Sequence, residues 1–316
     1  MNENDIPVYL FTGFLESGKT KFIQETLCDE RFNKGEKTLL LVCEEGVEEY
    51  EPDEFSGENV FIKIVEEESE LSEELLRSFI KETDAERVVV EYNGMWMLDS
   101  LYQAMPEEWV VYQEFMFADA TTFLTYNQNM RQLTYDKLKS CELVVFNRFT
   151  REMDKMPYHK IVRGASRRAD IAYEYAPDDV EYDDIEDPLP FDIEADVIDI
   201  NDEDYAIWYR DLSEEMEKYI GKTVRFKGIV AYDDSFPKNT IVVGRHVMVC
   251  CEDDITYRGL VCKGVVVSGL QKRDWIIVTA KITKEFHEMY EEEAPVLYAP
   301  EIKRTSEPKQ VVATFY

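Results

Sequence analysis

The stretch IPVYLFTGFLESGKT, residues 6–20, decides the fold of the first half of the chain. Its first seven residues are mostly apolar and predict a buried β-strand, and residues 20–31 predict the helix after it. Between them, two glycines precede a lysine and a threonine in the pattern of a phosphate-binding loop, whose backbone N–H groups point inward at an anion. A chance glycine turn can carry the same pattern, but here it joins a predicted strand to a predicted helix, which is the context that it requires. The sequence therefore predicts a polyphosphate site at this junction.

Residues of the loop have expected roles toward a nucleotide. Lys19 would reach the β- and γ-phosphate oxygens, and the Thr20 hydroxyl would ligate Mg²⁺. The loop amides and the N-terminus of the helix would hold other phosphate oxygens. The residues predicted to bind the nucleotide from this segment are Gly13, Glu16, Ser17, Gly18, Lys19, Thr20 and Lys21.

The rest of the first half alternates apolar strands with amphipathic helices. Four further apolar runs predict strands, at residues 37–43, 59–65, 86–92 and 141–147. Apolar residues recur with helical spacing over residues 71–82. We therefore predict an α/β fold of the P-loop NTPase type, a parallel sheet with helices on both faces. Ligands on such sheets bind beyond the carboxyl ends of the strands.

A second strand end, VVVEYNG, supports the same site. Glu91 emerges where this strand finishes, and Gly94 follows it. A carboxylate at this point can orient water bound to Mg²⁺ or polarise the attacking water, while a glycine amide can meet the γ-phosphate. A lone strand-end glutamate is usually a surface residue, but the phosphate loop favours the functional interpretation.

Composition and charge limit the classes of partner. The chain has 316 residues, enough for two domains, and a net charge of −32. Such an acidic chain repels nucleic acid and anionic membrane surfaces, so neither is an expected partner. The first residues, MNENDIPVYL, lack the pattern of a secretory signal, and no apolar run is long enough to span a membrane. The six cysteines are expected to be reduced thiols in the cytoplasm.

The second half of the chain differs from the first in composition and in hydrophobic pattern. Residues 177–206 are rich in Asp and Glu with little periodicity and predict an acidic linker. Residues 207–219 predict a helix, and five strand-like runs with turn signals follow it. Five strands in about a hundred residues favour a small OB-like β-barrel. The predicted domains are residues 1–176, a nucleotide-binding domain, and residues 207–316, the barrel.

The first domain resembles the CobW-type GTPases, which are relatives of the HypB and UreG nickel-insertion GTPases. The family pattern is a TGFLGAGKTT loop, an NEFG-like switch, an E-x-x-G strand end and an NKxD motif that reads the base. This chain has TGFLESGKTK, CEEG at residues 43–46, EYNG at residues 91–94 and NRFT at residues 147–150, in that order, with FADATTF at residues 117–123 where the family has VVDAxxF. The resemblance implies slow GTP hydrolysis with Mg²⁺. Beyond the loop, the resemblance implies that Glu44 or Glu45 senses the γ-phosphate through Mg²⁺. It implies that Glu45 is catalytic together with Lys19 and Glu91. It also implies that Asn147 and Arg148 contact the base.

Two departures from this family affect the expected chemistry. The metal-binding C-x-C-C should fall at residues 65–69, where this chain has VEEES, so soft thiolate ligands are absent there. Thr150 stands where the family has the Asp that accepts from guanine, and a hydroxyl cannot reproduce that two-fold contact. GTP remains the expected nucleotide by resemblance, with ATP or relaxed specificity as the alternative.

Residues 220–303 resemble the C-terminal domain of YcgQ-like proteins, which are permease-associated subunits, through RHVMVCCEDD at residues 245–254. The resemblance implies a protein partner, with a membrane permease subunit as the candidate. Cys250, Cys251 and Cys262 with His246 could form a zinc or copper(I) site. Adjacent residues on a strand point to opposite faces, however, and packing of the thiols in the core is the favoured alternative.

Three functions follow from these motifs. The first is a slow GTPase that acts in metal handling or controls a permease-like partner. The second is a nucleotide-sensing adaptor without significant hydrolysis, which the altered switch and base motifs favour. The third is a metal-binding protein with a degenerate nucleotide site. A homodimer is compatible with each of them.

Overall fold

The computed structural model describes residues 5–231, 236–237, 239–249, 254–265, 269–287 and 292–315. Within it the chain divides into two compact units, Met1–Ile185 and Glu186–Tyr316. Among the described residues, no helix has both the length and the apolar character needed to cross a membrane. The four described cysteines, Cys28, Cys43, Cys141 and Cys262, are free thiols.

The first unit alternates strands and helices over most of its length. Its strands are β1 (Ile6–Thr12), β2 (Thr38–Val42), β3 (Val60–Ile64), β4 (Arg87–Glu91), β5 (Trp109–Asp119), β6 (Leu143–Asn147), β7 (Asp170–Ala176) and β8 (Asp179–Tyr182). Its α-helices are α1 (Lys19–Cys28), α2 (Glu73–Thr83), α3 (Leu98–Ala104), α4 (Ala120–Asn129), α5 (Arg131–Leu138) and α6 (Met156–Ala165).

These eight strands form one sheet in the order β3-β2-β4-β1-β5-β6-β7-β8. All neighbours are parallel except β7 and β8, which are antiparallel. Alternate residues of β1 enter two cores, since Leu10 packs with residues of α3 while Phe11 packs with residues of α1. Burial on both faces explains why the strands read as apolar runs. The predicted α/β fold with helices on both faces is confirmed.

The phosphate-loop segment lies at the carboxyl end of β1, in the middle of the sheet. Strands β4 and β5 flank β1 on its two sides. The β4 end carries Glu91, and the order therefore brings both predicted strand ends to one edge of the sheet.

The second unit is a small β-barrel preceded by one helix. Its elements are β9 (Ile198–Asp199), α7 (Tyr205–Glu214), β10 (Thr223–Ala231), β11 (Thr240–Val247), β12 (Thr256–Lys263), β13 (Trp275–His287), β14 (Glu292–Thr305) and β15 (Val312–Ala313). Five strands close into a ring, β10-β11-β12-β14-β13 and back to β10, with only the β12–β14 pair parallel. The barrel of five strands is therefore present, with the closure expected of an OB-like barrel.

Residues 177–206, which the sequence predicts as a linker, take part in both units. Strand β8 extends the first sheet, and β9 pairs in parallel with β10. Asp183 anchors the end of the first unit because its side chain, 1% exposed, lies 2.8 Å from the Nδ1 atom of His159 and accepts from the Tyr173 hydroxyl at 2.8 Å. These strand pairings were not predictable from the sequence, because the acidic composition of the segment resembles that of unstructured segments.

Candidate functional site

The loop of residues 13–18 contains two glycines whose backbone conformation and surroundings exclude a side chain. Gly13 has φ +131, and a Cβ there would lie 2.1 Å from the Phe117 carbonyl oxygen of the neighbouring strand. Gly18 has φ +90, and a Cβ there would lie 2.7 Å from Nδ2 of Asn147. Both positions therefore require glycine, because an L side chain would be strained and would collide.

Lys19 is buried at the first turn of α1, with 3% of its surface exposed. Its ammonium donates to the carbonyl oxygens of Gly13 at 2.8 Å and Phe14 at 3.1 Å. A third bond joins it to the Glu44 carboxylate, with 2.6 Å from Nζ to Oε2. An ammonium has three N–H donors, so all three are engaged.

Glu91 lies beside Thr20, as the two motifs predict. The Thr20 hydroxyl donates to Oε1 of Glu91 at 2.7 Å, and the Tyr50 hydroxyl donates to Oε2 at 2.5 Å. Burial raises the pKa of the Glu91 carboxyl, while these two hydroxyls and the Lys19 ammonium lower it. Burial and the Glu91 charge also raise the pKa of Tyr50, which keeps its hydroxyl a donor.

Glu44 and Gly94 meet at the same place. The backbone N–H of Gly94 donates to Oε1 of Glu44 at 3.2 Å, while Oε2 of Glu44 binds Lys19. The Asn93 side chain donates to the Cys43 carbonyl at 3.1 Å and so ties the segment after β2 to the segment after β4. A Cβ on Gly94 would lie 2.7 Å from the Gly13 carbonyl oxygen, because the two loops touch through their backbones.

Asn147 and Arg148 support the loop from the end of β6. The Asn147 amide donates to the Ser17 carbonyl. Arg148 donates to the Glu16 carbonyl at 3.1 Å and to the Asp119 carboxylate at 2.8 Å. Thr150, at the place of the family's base-reading Asp, is exposed.

Two adjacent cavities contain these residues. The smaller, of ≈ 230 Å³, is lined by the phosphate-loop residues with Glu44 and Glu91. The larger, of ≈ 770 Å³, is lined by apolar residues of β5, β6, β7 and β8 and by polar residues that include Asn147, Lys21, Glu25, Glu174 and Asp178. Gly18, Glu48 and Arg148 line both.

Other predicted residues lie apart from this cluster. Glu45 is exposed and does not line the smaller cavity, while Lys21 is exposed and lies 4.0 Å from the Glu25 carboxylate. Cys250 and Cys251 lie outside the described residues. Cys262 is fully buried in the apolar barrel core, and burial raises the pKa of its thiol to about 12. This environment disfavours the thiolate that a zinc site needs.

The donor set of the smaller cavity fits Mg²⁺, which prefers hydroxyl, carboxylate and phosphate oxygens. Thr20 and Glu91, whose side chains are in contact, would hold it. The described part of the chain, this cavity included, has no cluster of three or more His, Cys, Asp or Glu side chains placed to hold a metal ion. The Ser17 hydroxyl lies in the wall of the smaller cavity. Among the contacts of the described residues, this buried hydroxyl has no hydrogen-bond partner. A ligand oxygen would satisfy it.

Three site features are absent from the sequence prediction. Tyr50 lies in a charged segment without periodicity, so nothing in the sequence connects it to Glu91. Asp119 falls within the FADATTF motif, and that position is the signal that could have identified it. Lys137 is fully buried and donates to the Trp96 carbonyl at 3.0 Å, beside the Gly94 segment. A lysine in a polar helix sequence gives no sign of such burial.

The second unit has a recognisable relative. Residues 178–313 match the DUF1980 C-terminal domain. The match includes all five strands of the closed barrel. The prediction that the chain ends in a C-terminal domain of a separate family is confirmed.

Comparison with solved structures finds weaker similarities, over 54% to 82% of the chain. The hydrogenase maturation factor HypB from Archaeoglobus fulgidus has 15% identity and a TM-score of 0.39, over 54% of this chain and 81% of that chain. The Zn(II)-bound YjiA GTPase from E. coli has 15% identity and a TM-score of 0.41, over 82% and 89%. A Zn(II)-bound triple mutant of the YjiA GTPase gives the same values. Comparison with curated proteins finds no significant match.

Proposed function

We propose that the first unit binds a purine nucleoside triphosphate with Mg²⁺ and hydrolyses it slowly. The observation that supports this most directly is the convergence of Lys19, Thr20, Glu91 and Gly94 on the glycine loop after β1. These residues come from two strand ends that are far apart in the sequence, so a chance glycine turn does not account for their convergence.

Each of these residues has a defined task in phosphoryl transfer. The loop amides and Lys19 hold the phosphate oxygens, and the Gly94 amide faces the terminal phosphoryl group. Bound Mg²⁺, held by Thr20, would neutralise charge on the β- and γ-phosphates. Glu91, buried at the strand end, orients the attacking water. The smaller cavity would take the phosphates, and the larger one the base.

GTP is the proposed nucleotide, by the resemblance of the motifs to those of CobW-type GTPases. Asn147 and the stem of Arg148 are the proposed base contacts. Thr150 lacks the carboxylate that accepts both guanine N–H groups, so ATP is the alternative.

One feature favours a second function, a nucleotide-sensing adaptor without significant turnover. Both carboxylate oxygens of Glu91 accept hydroxyl groups, from Thr20 and Tyr50. A carboxylate held in this way is less available to polarise water.

The cellular task is proposed from the resemblances of the two halves. We place it in metal handling or in the control of a permease-like partner, with the barrel as the unit that contacts the partner. The free thiols support a reducing compartment such as the cytoplasm. Zinc at the barrel cysteines and a homodimer also remain proposals.

Calorimetry with GTP and ATP tests the nucleotide site. Wild-type protein is expected to bind one of them, and Lys19→Ala is expected to lose that binding, whereas Lys81→Ala, at an exposed lysine of α2, is the matched control. Phosphate release with and without Mg²⁺ separates a GTPase from an adaptor, and native mass spectrometry reports nucleotide, metal and assembly together. Full affinity in Lys19→Ala would refute the site.

A further inference from the structure

Glu44 holds a position at which two separate donors converge. Its two carboxylate oxygens accept from the Lys19 ammonium at 2.6 Å and from the Gly94 N–H at 3.2 Å. The side chain is 9% exposed, so the contact is made largely out of water. In the proposed function, these two donors are the ones that a γ-phosphate would use.

All three N–H groups of the Lys19 ammonium are hydrogen-bonded in this arrangement. The Gly13 and Phe14 carbonyls take two of its N–H groups and Glu44 takes the third. The two carbonyls belong to the loop itself and stay with it. Glu44 comes from the separate segment after β2, so its bond is the one that a ligand can replace.

We propose that Glu44 is a resident competitor of the γ-phosphate, so that a triphosphate must displace it and a diphosphate need not. This inference rests on the proposed function and names the regulation of the same site. The terminal phosphoryl group carries more negative charge and more oxygens than a carboxylate, which allows it to replace Glu44 at both donors. A diphosphate ends one phosphoryl group short, so its β-phosphate can reach Lys19 but Glu44 keeps the Gly94 N–H.

The displacement has a structural route. Glu44 lies six residues before Tyr50, whose hydroxyl holds Glu91. Gly46, between them, lies against the phosphate loop, since a Cβ there would be 3.7 Å from the Leu15 side chain. Movement of Glu44 therefore pulls on a segment that contacts both the loop and the strand-end carboxylate, and it reports the presence of the third phosphate.

The test compares Glu44→Gln with the matched variant Glu48→Gln. Both remove one carboxylate from the lining of the smaller cavity, but Glu44 alone of the two has bonds to Lys19 and Gly94 among the described contacts. Calorimetry with Mg²⁺ measures the dissociation constants of GDP and of the β,γ-imido analogue of GTP, and then of their adenine counterparts. Glu44→Gln is expected to tighten the triphosphate analogue by about tenfold relative to the diphosphate. Glu48→Gln is expected to change both ligands equally.

A second variant keeps the test decisive if Glu44→Gln folds poorly in thermal melts. Glu44→Asp retains the charge but is too short to bridge both donors, and a smaller change in the same direction is expected. Equal changes for both ligands in the Glu44 variants, or weaker triphosphate binding, would overturn the competition. If wild-type protein binds the two ligands and Lys19→Ala does not, such a result refutes the competition alone. If wild-type protein binds neither ligand, the proposed function fails and the competition with it.

Discussion

The Tyr50 hydroxyl is one of the groups that stabilise the charged form of Glu91. Its hydrogen bond lowers the pKa of a carboxyl that burial otherwise raises. In Tyr50→Phe the pKa of Glu91 should therefore rise further, and the acid limb of magnesium-dependent nucleotide affinity should move to higher pH. The measurement is affinity against pH by fluorescence titration.

The chain offers a matched control for this change. Tyr102 donates to the buried Glu114 carboxylate at 3.0 Å, and burial is again the main cause that raises the pKa of the glutamate. Neither residue lines the two cavities. Tyr102→Phe should leave the pH profile of nucleotide affinity unchanged. A profile for Tyr50→Phe that coincides with wild type would refute the role of Tyr50.

Because of Lys137, the free energy of unfolding of the first unit should change with pH in the alkaline range. Burial lowers the pKa of Lys137 from 10.5 to about 8, against the opposing effect of Asp136. Between these values the unfolded chain binds more protons than the folded one, so stability rises with pH. The contribution of this lysine should improve by about 2 kcal/mol from pH 7 to pH 9.5.

Urea unfolding of wild type and Lys137→Met at these two pH values isolates the effect. The difference in free energy of unfolding, wild type minus variant, should increase at the higher pH. The same difference at both pH values would show that Lys137 has no depressed pKa.

Lys19, Thr20 and Glu91 could be predicted because each belongs to a motif with fixed spacing. Tyr50 and Lys137 could not, because their partners are distant in sequence. Tyr50 meets a residue 41 positions away, and Lys137 meets one 41 positions before it. Only tertiary contact determines their burial, and their own segments carry no apolar period.

The phosphate loop and the segment after β4 depend on each other as elements. Because a Cβ on Gly94 would press on the backbone of Gly13 and Phe14, Gly94→Ala should separate the two segments. Overpacking of this kind costs about 1–3 kcal/mol, and nucleotide affinity should fall with it. Urea unfolding and calorimetry measure the two effects.

Gly46→Ala is the control for this substitution. The nearest atom to a Cβ at Gly46 is 3.7 Å away, which is an ordinary contact, in the same site. It should change stability by much less than Gly94→Ala. Equal losses in both variants would refute the steric explanation.

Strands buried on both faces were predictable from their apolar runs, but β5, β7, β8 and β9 were not. β5 includes Gln113 and the buried Glu114, which breaks the apolar pattern. Glu114 is tolerated there because Tyr102 and Ser140 donate to it from other elements. β8 and β9 are short and acidic, and their pairing with β7 and β10 alone defines them.

The end of the first unit matters for the molecule as a whole, and we propose that it lies at residue 185. A fragment of residues 1–185 should melt cooperatively and remain monomeric. A fragment of residues 1–176 lacks β8 and Asp183, which exposes the edge of β7 and leaves His159 and Tyr173 without their carboxylate. Loss of a hydrogen-bond partner from a buried polar group costs about 1–3 kcal/mol.

Thermal melts and light scattering of the two fragments test this boundary. The shorter fragment should melt at lower temperature and self-associate, because an open strand edge pairs with other chains. Asp183→Asn in the full chain separates the lost carboxylate from the lost strand. Identical melting of the two fragments would place the boundary at residue 176.

At this scale the sequence predicts two domains and their order, since an apolar α/β pattern gives way to short strands. The sequence does not locate the boundary between the two domains, because an acidic composition is typical both of a solvated linker and of a charged edge strand.

A buried ammonium normally needs an anion borrowed from its surroundings, and Lys19 carries one on its own chain. The charge of this buried cation is therefore balanced by a group of the same chain. A nucleotide at the proposed site would replace one anion with another, so the electrostatic gain on binding would be smaller than at an unpaired lysine.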